Sequence, residues 1–171
     1  WTATLAMVAT AAMAGVPLFN GFLSKEMFFA EALDAIDASW GWIVPAIATF
    51  AGACSVAYSL RFIHDVFFNG DARDLPKSHP HESPLFMKLP VALLVVLCVA
   101  VGVLPALLVG PLVQVAADAV LGVPAPQVRL ALWHGFNLPL LMSMLASLGG
   151  IVFYWALTQH YRLHLHHPRG I

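Results

Sequence analysis

The chain has 171 residues, of which 60% are apolar and only 10% charged, with a mean hydropathy of +0.82. Soluble domains carry about 45–50% apolar and about 25% charged residues, so this composition excludes an ordinary soluble fold and points to a membrane protein. A net charge of −1 and a pI near 6.8 provide no basic field for nucleic acid, or for acidic lipid as the main partner.

The few charges are unevenly placed. Residues 1–24, 38–60, 89–117 and 135–159 contain no Asp, Glu, Lys, Arg or His, giving runs of 24, 23, 29 and 25 residues. Each exceeds the roughly 20 apolar residues that cross a hydrocarbon core as a helix. The expected fold is an all-α membrane protein with about four transmembrane passes. Cys54 and Cys98 both lie inside these runs and read as small buried thiols, not as a disulfide or a metal pair. The chain opens on Trp1 with no basic region ahead of its first apolar run, so that run does not read as a signal peptide. The whole is expected to be a fragment of a larger bundle.

The first pass covers about 2–33. As one straight helix, residues 1–34 would be about 50 Å long, more than a bilayer core needs. Gly15, Pro17, Asn20 and Gly21 interrupt it: the proline removes a backbone donor and the glycines permit non-helical dihedrals. Halves near 2–14 and 19–33 are expected. Backbone groups freed at membrane depth need protein or a water-filled cavity beside them, so the break belongs inside a bundle.

The second pass covers about 40–68, with Trp40 and Trp42 as interfacial anchors at its start. Cys54, Tyr58, Arg61 and Asp65 follow at spacings of four, three and four, which puts them on one helical face that should look at protein or water. Residues 69–84 carry Asn69-Gly70, three prolines, five charges and two histidines and read as an exposed loop. The third pass covers about 85–108, ended by Gly110 and Pro111. Residues 113–121 are too few to span and read as a short surface helix. The fourth pass covers about 134–161 and leaves through Tyr154 and Trp155 into a His-rich basic tail.

Lysine and arginine placement predicts the orientation. Arg73, Lys77 and Lys88 sit in or beside the first loop and Arg162 and Arg169 in the tail, against Arg129 alone on the other side. The positive-inside rule then puts both ends of the chain in the cytoplasm.

Lys25 is the most informative residue, and the depth of the helix break decides its meaning. Either the pass ends near Ser24 and Lys25 snorkels to the interface beside Glu26, or the pass runs to Asp34 and Lys25 lies within the membrane. An intramembrane lysine costs about 2.5–3.5 kcal/mol to insert and so calls for a function. Desolvation disfavours the ammonium form, so a lysine in such a place can exchange its proton as neighbouring charges change. Arg61 and Asp65, one turn apart, form a structural ion pair in one reading. In the other, His64 beside Asp65 relays protons between a half-channel and the bundle. The histidines at 79, 81, 164, 166 and 167 lack regular ligand spacing, so no metal site and no cofactor are expected. Phosphate-loop, nucleophile-elbow and HExxH motifs are absent, which leaves soluble-enzyme chemistry without support.

The run from Ala14 through Gly15-Val16-Pro17-Leu18-Phe19-Asn20-Gly21-Phe22-Leu23-Ser24-Lys25-Glu26 to Phe29 resembles the broken helix of the antiporter-like subunits shared by Mrp-type Na⁺/H⁺ antiporters and respiratory complex I. With His81-Glu82-Ser83-Pro84 and His134-Gly135-Phe136-Asn137-Leu138-Pro139-Leu140, it is most similar to the large A subunit of the Mrp complex. The resemblance implies that Lys25 passes protons toward the exterior. It implies an antiporter-fold bundle in a bacterial plasma membrane, partnered by other membrane subunits, exchanging H⁺ for Na⁺ or K⁺. It also implies an earlier repeat, with its own Glu and Lys groups, upstream of Trp1, without which this segment does not transport. Two alternatives carry different expectations: a proton-pumping membrane subunit of NADH-quinone oxidoreductase, and a structural scaffold in which Lys25 is permanently paired.

Overall fold

The computed structural model describes residues 1–34, 41–68, 82–126, 130 and 135–161. The described residues form helices and connecting turns. Helix α1 covers Thr2–Ala14 and α2 covers Asn20–Asp34, so the first pass is a helix broken across residues 15–19. Helix α3 covers Ile43–Ile63 and continues as a π-helical turn, His64–Phe68. Helix α4 covers Leu85–Val103, α5 Pro105–Leu108, α6 Gly110–Leu121 and α7 Leu138–Tyr161. Three stretches, Ile43–Phe68, Leu85–Val103 and Leu138–His160, are long and apolar enough to cross a membrane individually. The chain is therefore an all-α membrane segment.

The stretch expected as the third pass, 85–108, is interrupted after Val103. Pro105 disfavours a helical residue before it, and Leu104 leaves the helix at φ −124° and ψ 55°. Gly110 and Pro111, which look like terminators, instead open α6, because proline in a first turn replaces a donor that has no helical partner anyway. Helix α6 ends at Gly122 in the left-handed region, φ +69°. Asp118 locks the following turn by accepting from Ala125 N at 2.7 Å and from Gln114 Nε2 at 3.1 Å. Helix α7 starts where Asn137 Oδ1 accepts from Leu140 N at 3.0 Å, a side-chain N-cap that fixes its first turn. Residues 69–81 of the loop expected at 69–84, together with Trp40, Arg129, His134 and the basic tail from Arg162 on, lie outside the described residues.

Helices α3 and α7 make the most extensive pairing. Lipid chains are as apolar as leucine, so helices in a membrane gain from close van der Waals approach, which small residues allow. Here those residues are Gly52 and Ala53 on α3 facing Ala146, Gly149 and Gly150 on α7. Helix α2 lies against both and adds Phe29 and Ala32 to a core shared with Ala48, Met142 and Ala146. Helix α4 touches α1 and α2 and otherwise presents an almost wholly exposed apolar surface. Its start is tied to the start of α1 by Glu82, which accepts from Thr2 Oγ1 at 3.0 Å and pairs with Lys88 Nζ at 2.8 Å. Lys88 and then Thr2 hold the Glu82 carboxyl down to about 2, so this tie is complete above the ordinary carboxylate value and is lost as pH falls toward 2.

The two adjacent glycines of α7 differ sharply in their surroundings. A Cβ at Gly150 would fall 2.5 Å from the Ala53 carbonyl oxygen, whereas one at Gly149 would make an ordinary 3.6 Å contact with Ala53 Cβ. Gly150→Ala is expected to destabilise the protein by about 1–3 kcal/mol through overpacking against backbone. Gly149→Ala should be neutral, as read by thermal unfolding of the purified protein in detergent.

Candidate functional site

The end of α1 at the break leaves four carbonyls without helical donors, and each has found one. Gly15 sits in the left-handed region at φ +79°, which a Cβ-bearing residue rarely adopts. This conformation turns the Val16 N–H back to Ala11 O and the Gly15 N–H to Ala12 O, both at 3.0 Å. Ser55 Oγ, from α3, donates to Met13 O at 3.0 Å. Lys25 Nζ donates to Ala14 O at 2.7 Å. The lysine stem runs across Gly15, so closely that a Cβ there would meet its Cδ at 2.6 Å.

The break is also held from outside. Leu18 adopts φ +78°, an uncommon conformation for a residue with a side chain, costing about 1–3 kcal/mol. Gly102 of α4 packs directly on the Leu18 carbonyl, where a Cβ would collide with backbone. Cys98 Sγ donates to Asn20 Oδ1 at 2.8 Å, and Gly21 lies against the Ala12 carbonyl. Thus α4, otherwise so lightly packed, clamps the discontinuity.

Lys25 is half-buried and its ammonium caps the negative end of α1. Glu26, next in sequence, is 7% exposed and lines a cavity of about 260 Å³ with Glu31, Asn137 and Pro139, between α2 and the start of α7. Lys25 and Glu26 therefore face different surroundings.

A second group of polar residues lies at the end of α3. Arg61 Nε pairs with Asp65 Oδ2 at 3.2 Å, one helical turn apart and partly exposed. His64 Nδ1 is 2.7 Å from the hydroxyl of Tyr154 on α7, with the two rings edge to face. Of the sequence stripe 54, 58, 61, 65, Tyr58 and Arg61 are exposed, whereas Cys54 and Asp65 are half-buried. The hydroxyls that turn inward are Ser55 and Ser59, the latter donating to Ser55 O at 2.8 Å. Sequence reasoning passed over both, although two serines four apart in an apolar run were a legible signal. It also passed over Tyr154 as a partner, for which only the fold supplies the contact. Among the described residues no group of three or more His, Cys, Asp or Glu side chains could hold a metal ion.

No protein-family model matches the chain. A protein of Rhizobium meliloti (strain 1021), named as a probable K(+)/H(+) antiporter A/B subunit, is 51% identical over 160 residues, which are 93% of this chain and 16% of that relative. The Na(+)/H(+) antiporter A subunit of Bacillus subtilis (strain 168) is 30% identical over 169 residues, 92% of this chain and 21% of the relative. Among solved structures, the Mrp complex from Dietzia sp. DQ12-45-1b matches with a TM-score of 0.72 and 32% identity, over 99% of this chain and 18% of its own. Homologues of this chain are thus named as antiporter subunits A and A/B. It spans about a fifth or less of the length of each.

Among the described residues, the Ser55 contact is the carbonyl partner at the end of α1 that comes from α3. Ser55→Ala is expected to lower stability by about 1–3 kcal/mol, the cost of leaving Met13 O without a donor. Ser55→Thr keeps the hydroxyl and should retain most of it. Thermal unfolding of the assembled protein in detergent reads both.

Proposed function

We propose that the chain is part of the A-type subunit of an Mrp-type monovalent cation/proton antiporter, and that Lys25 on the broken helix carries protons along its transmembrane pathway. The observation that supports this reading best is the 2.7 Å hydrogen bond from Lys25 Nζ to Ala14 O at the discontinuity. A charged lysine is favoured there by the negative helix end. After losing a proton the neutral amine still has two N–H donors, so the Ala14 carbonyl keeps its partner in both states. Proton exchange at Lys25 therefore does not require the break to come apart.

In this reading the charge on Lys25 responds to charges elsewhere in the bundle, and the exchange of H⁺ for Na⁺ or K⁺ belongs to the whole complex with its other membrane subunits. His64 and Asp65 are further candidates for the proton pathway, with Arg61 holding Asp65 in place. Both ends of the segment lie on the cytoplasmic side, the side favoured by the lysines and arginines at positions 73, 77, 88, 162 and 169.

The test uses the complete complex in everted vesicles, with exchange driven by an imposed ΔpH and no NADH present, which separates an antiporter from a redox-driven pump. Lys25→Ala should cut exchange by about tenfold or more, as expected when a proton-carrying group is removed. Lys25→Arg keeps a donor for Ala14 O and a positive charge but cannot release its proton. It should assemble normally and remain inactive. Normal exchange in an assembled Lys25→Arg complex would sink the proton-carrying role and leave only a structural one.

A further inference from the structure

The α3 helix does not end in an ordinary turn. At His64 the backbone widens into a π-helical turn running to Phe68, a local feature that recurs at functional sites. The turn begins at the residue that reaches across to α7. There, His64 Nδ1 meets the Tyr154 hydroxyl at 2.7 Å, and the rings stand at 89° with centroids 6.3 Å apart. The contact joins residues 90 apart in sequence and bridges the most extensive helix pair in the fold. Arg61 and Asp65, on the same helix as His64, both act electrostatically on the Tyr154 hydroxyl. His160 lies further along α7.

We propose that Tyr154 is a positioning residue for proton exchange at His64, occupying the imidazole Nδ1 and thereby fixing which ring nitrogen trades protons. The two nitrogens of an imidazole are not equivalent, and the hydrogen bond made by one sets the role of the other. A phenol suits this task because it can donate to Nδ1 of the neutral ring and accept from Nδ1–H of the imidazolium. The bridge thus persists through protonation, and exchange with other groups falls to Nε2. Held edge to face against Tyr154, the ring is kept from turning over and presenting its nitrogens the wrong way round. Asp65, one residue on, is tethered by its pair with Arg61.

This inference rests on the antiporter reading, and its test separates the two. Wild-type, Tyr154→Phe, His64→Gln and double-variant complexes are compared for ΔpH-driven cation exchange across a range of pH, with assembly checked for each. Phenylalanine keeps the ring and its packing and removes only the hydroxyl. Tyr154→Phe should displace the pH profile by about 0.5–1 unit, because the hydrogen bond it loses is stronger to the charged imidazolium than to the neutral ring. It should also slow exchange at least about threefold, and adding it to His64→Gln should change nothing further. A wild-type profile in an assembled Tyr154→Phe complex overturns the proposal while leaving the antiporter reading in place. Absence of exchange in the wild type would instead defeat that reading.

Discussion

A helix that is interrupted leaves carbonyls at the break that must find new donors. That requirement organises the segment. Two of the four carbonyls at the end of α1 are satisfied by the local geometry of Gly15 and Val16, which costs no side chain. The other two call in Ser55 from α3 and Lys25 from α2. The break is therefore a junction of three helices, and the lysine is at once a structural donor and the only ionisable group that touches the broken backbone in the described contacts.

The packing around the junction follows from it. Ser55 can reach Met13 only if α3 lies close to α1, and α3 is located by α7 through facing glycines and alanines that bring the backbones together. On the opposite side, α4 contributes a glycine against Leu18 and a thiol to Asn20, two contacts aimed at the break itself. Its remaining apolar surface is what a helix against lipid or further membrane protein requires. The strained Leu18 is tolerated because residues on both sides of it are held by other elements.

The break and the membrane class were legible in the sequence because they depend on local chemistry. A proline flanked by glycines and an asparagine in an uncharged run has few other meanings. The position of Lys25 five residues into α2 was legible for the same reason. Its partner was not, since a backbone carbonyl has no residue-type signature, and neither was Ser55, which acts on a segment 42 residues away. The end of α4 was misplaced by giving weight to Gly110-Pro111 over Pro105; what decides is the constraint that a proline places on the residue before it. The polar stripe on α3 was legible as a periodicity, but periodicity cannot say which side of the stripe meets a neighbour. The fold turns Ser55 and Ser59 inward and leaves Tyr58 outward.

The two polar sites share α3, and its geometry limits how they can communicate. From Ser55, beside the Lys25 contact, to His64 is nine residues, a rise of about 13–14 Å along the helix axis. Hydrogen bonds span about 2.7–3.2 Å, so no single proton hop joins them. Direct influence of one charge on the other is then Coulombic, about 1 kcal/mol at this separation for an effective dielectric constant near 20. That is nearly a tenfold change in a protonation equilibrium, enough to bias an exchange without a continuous wire of side chains between the sites.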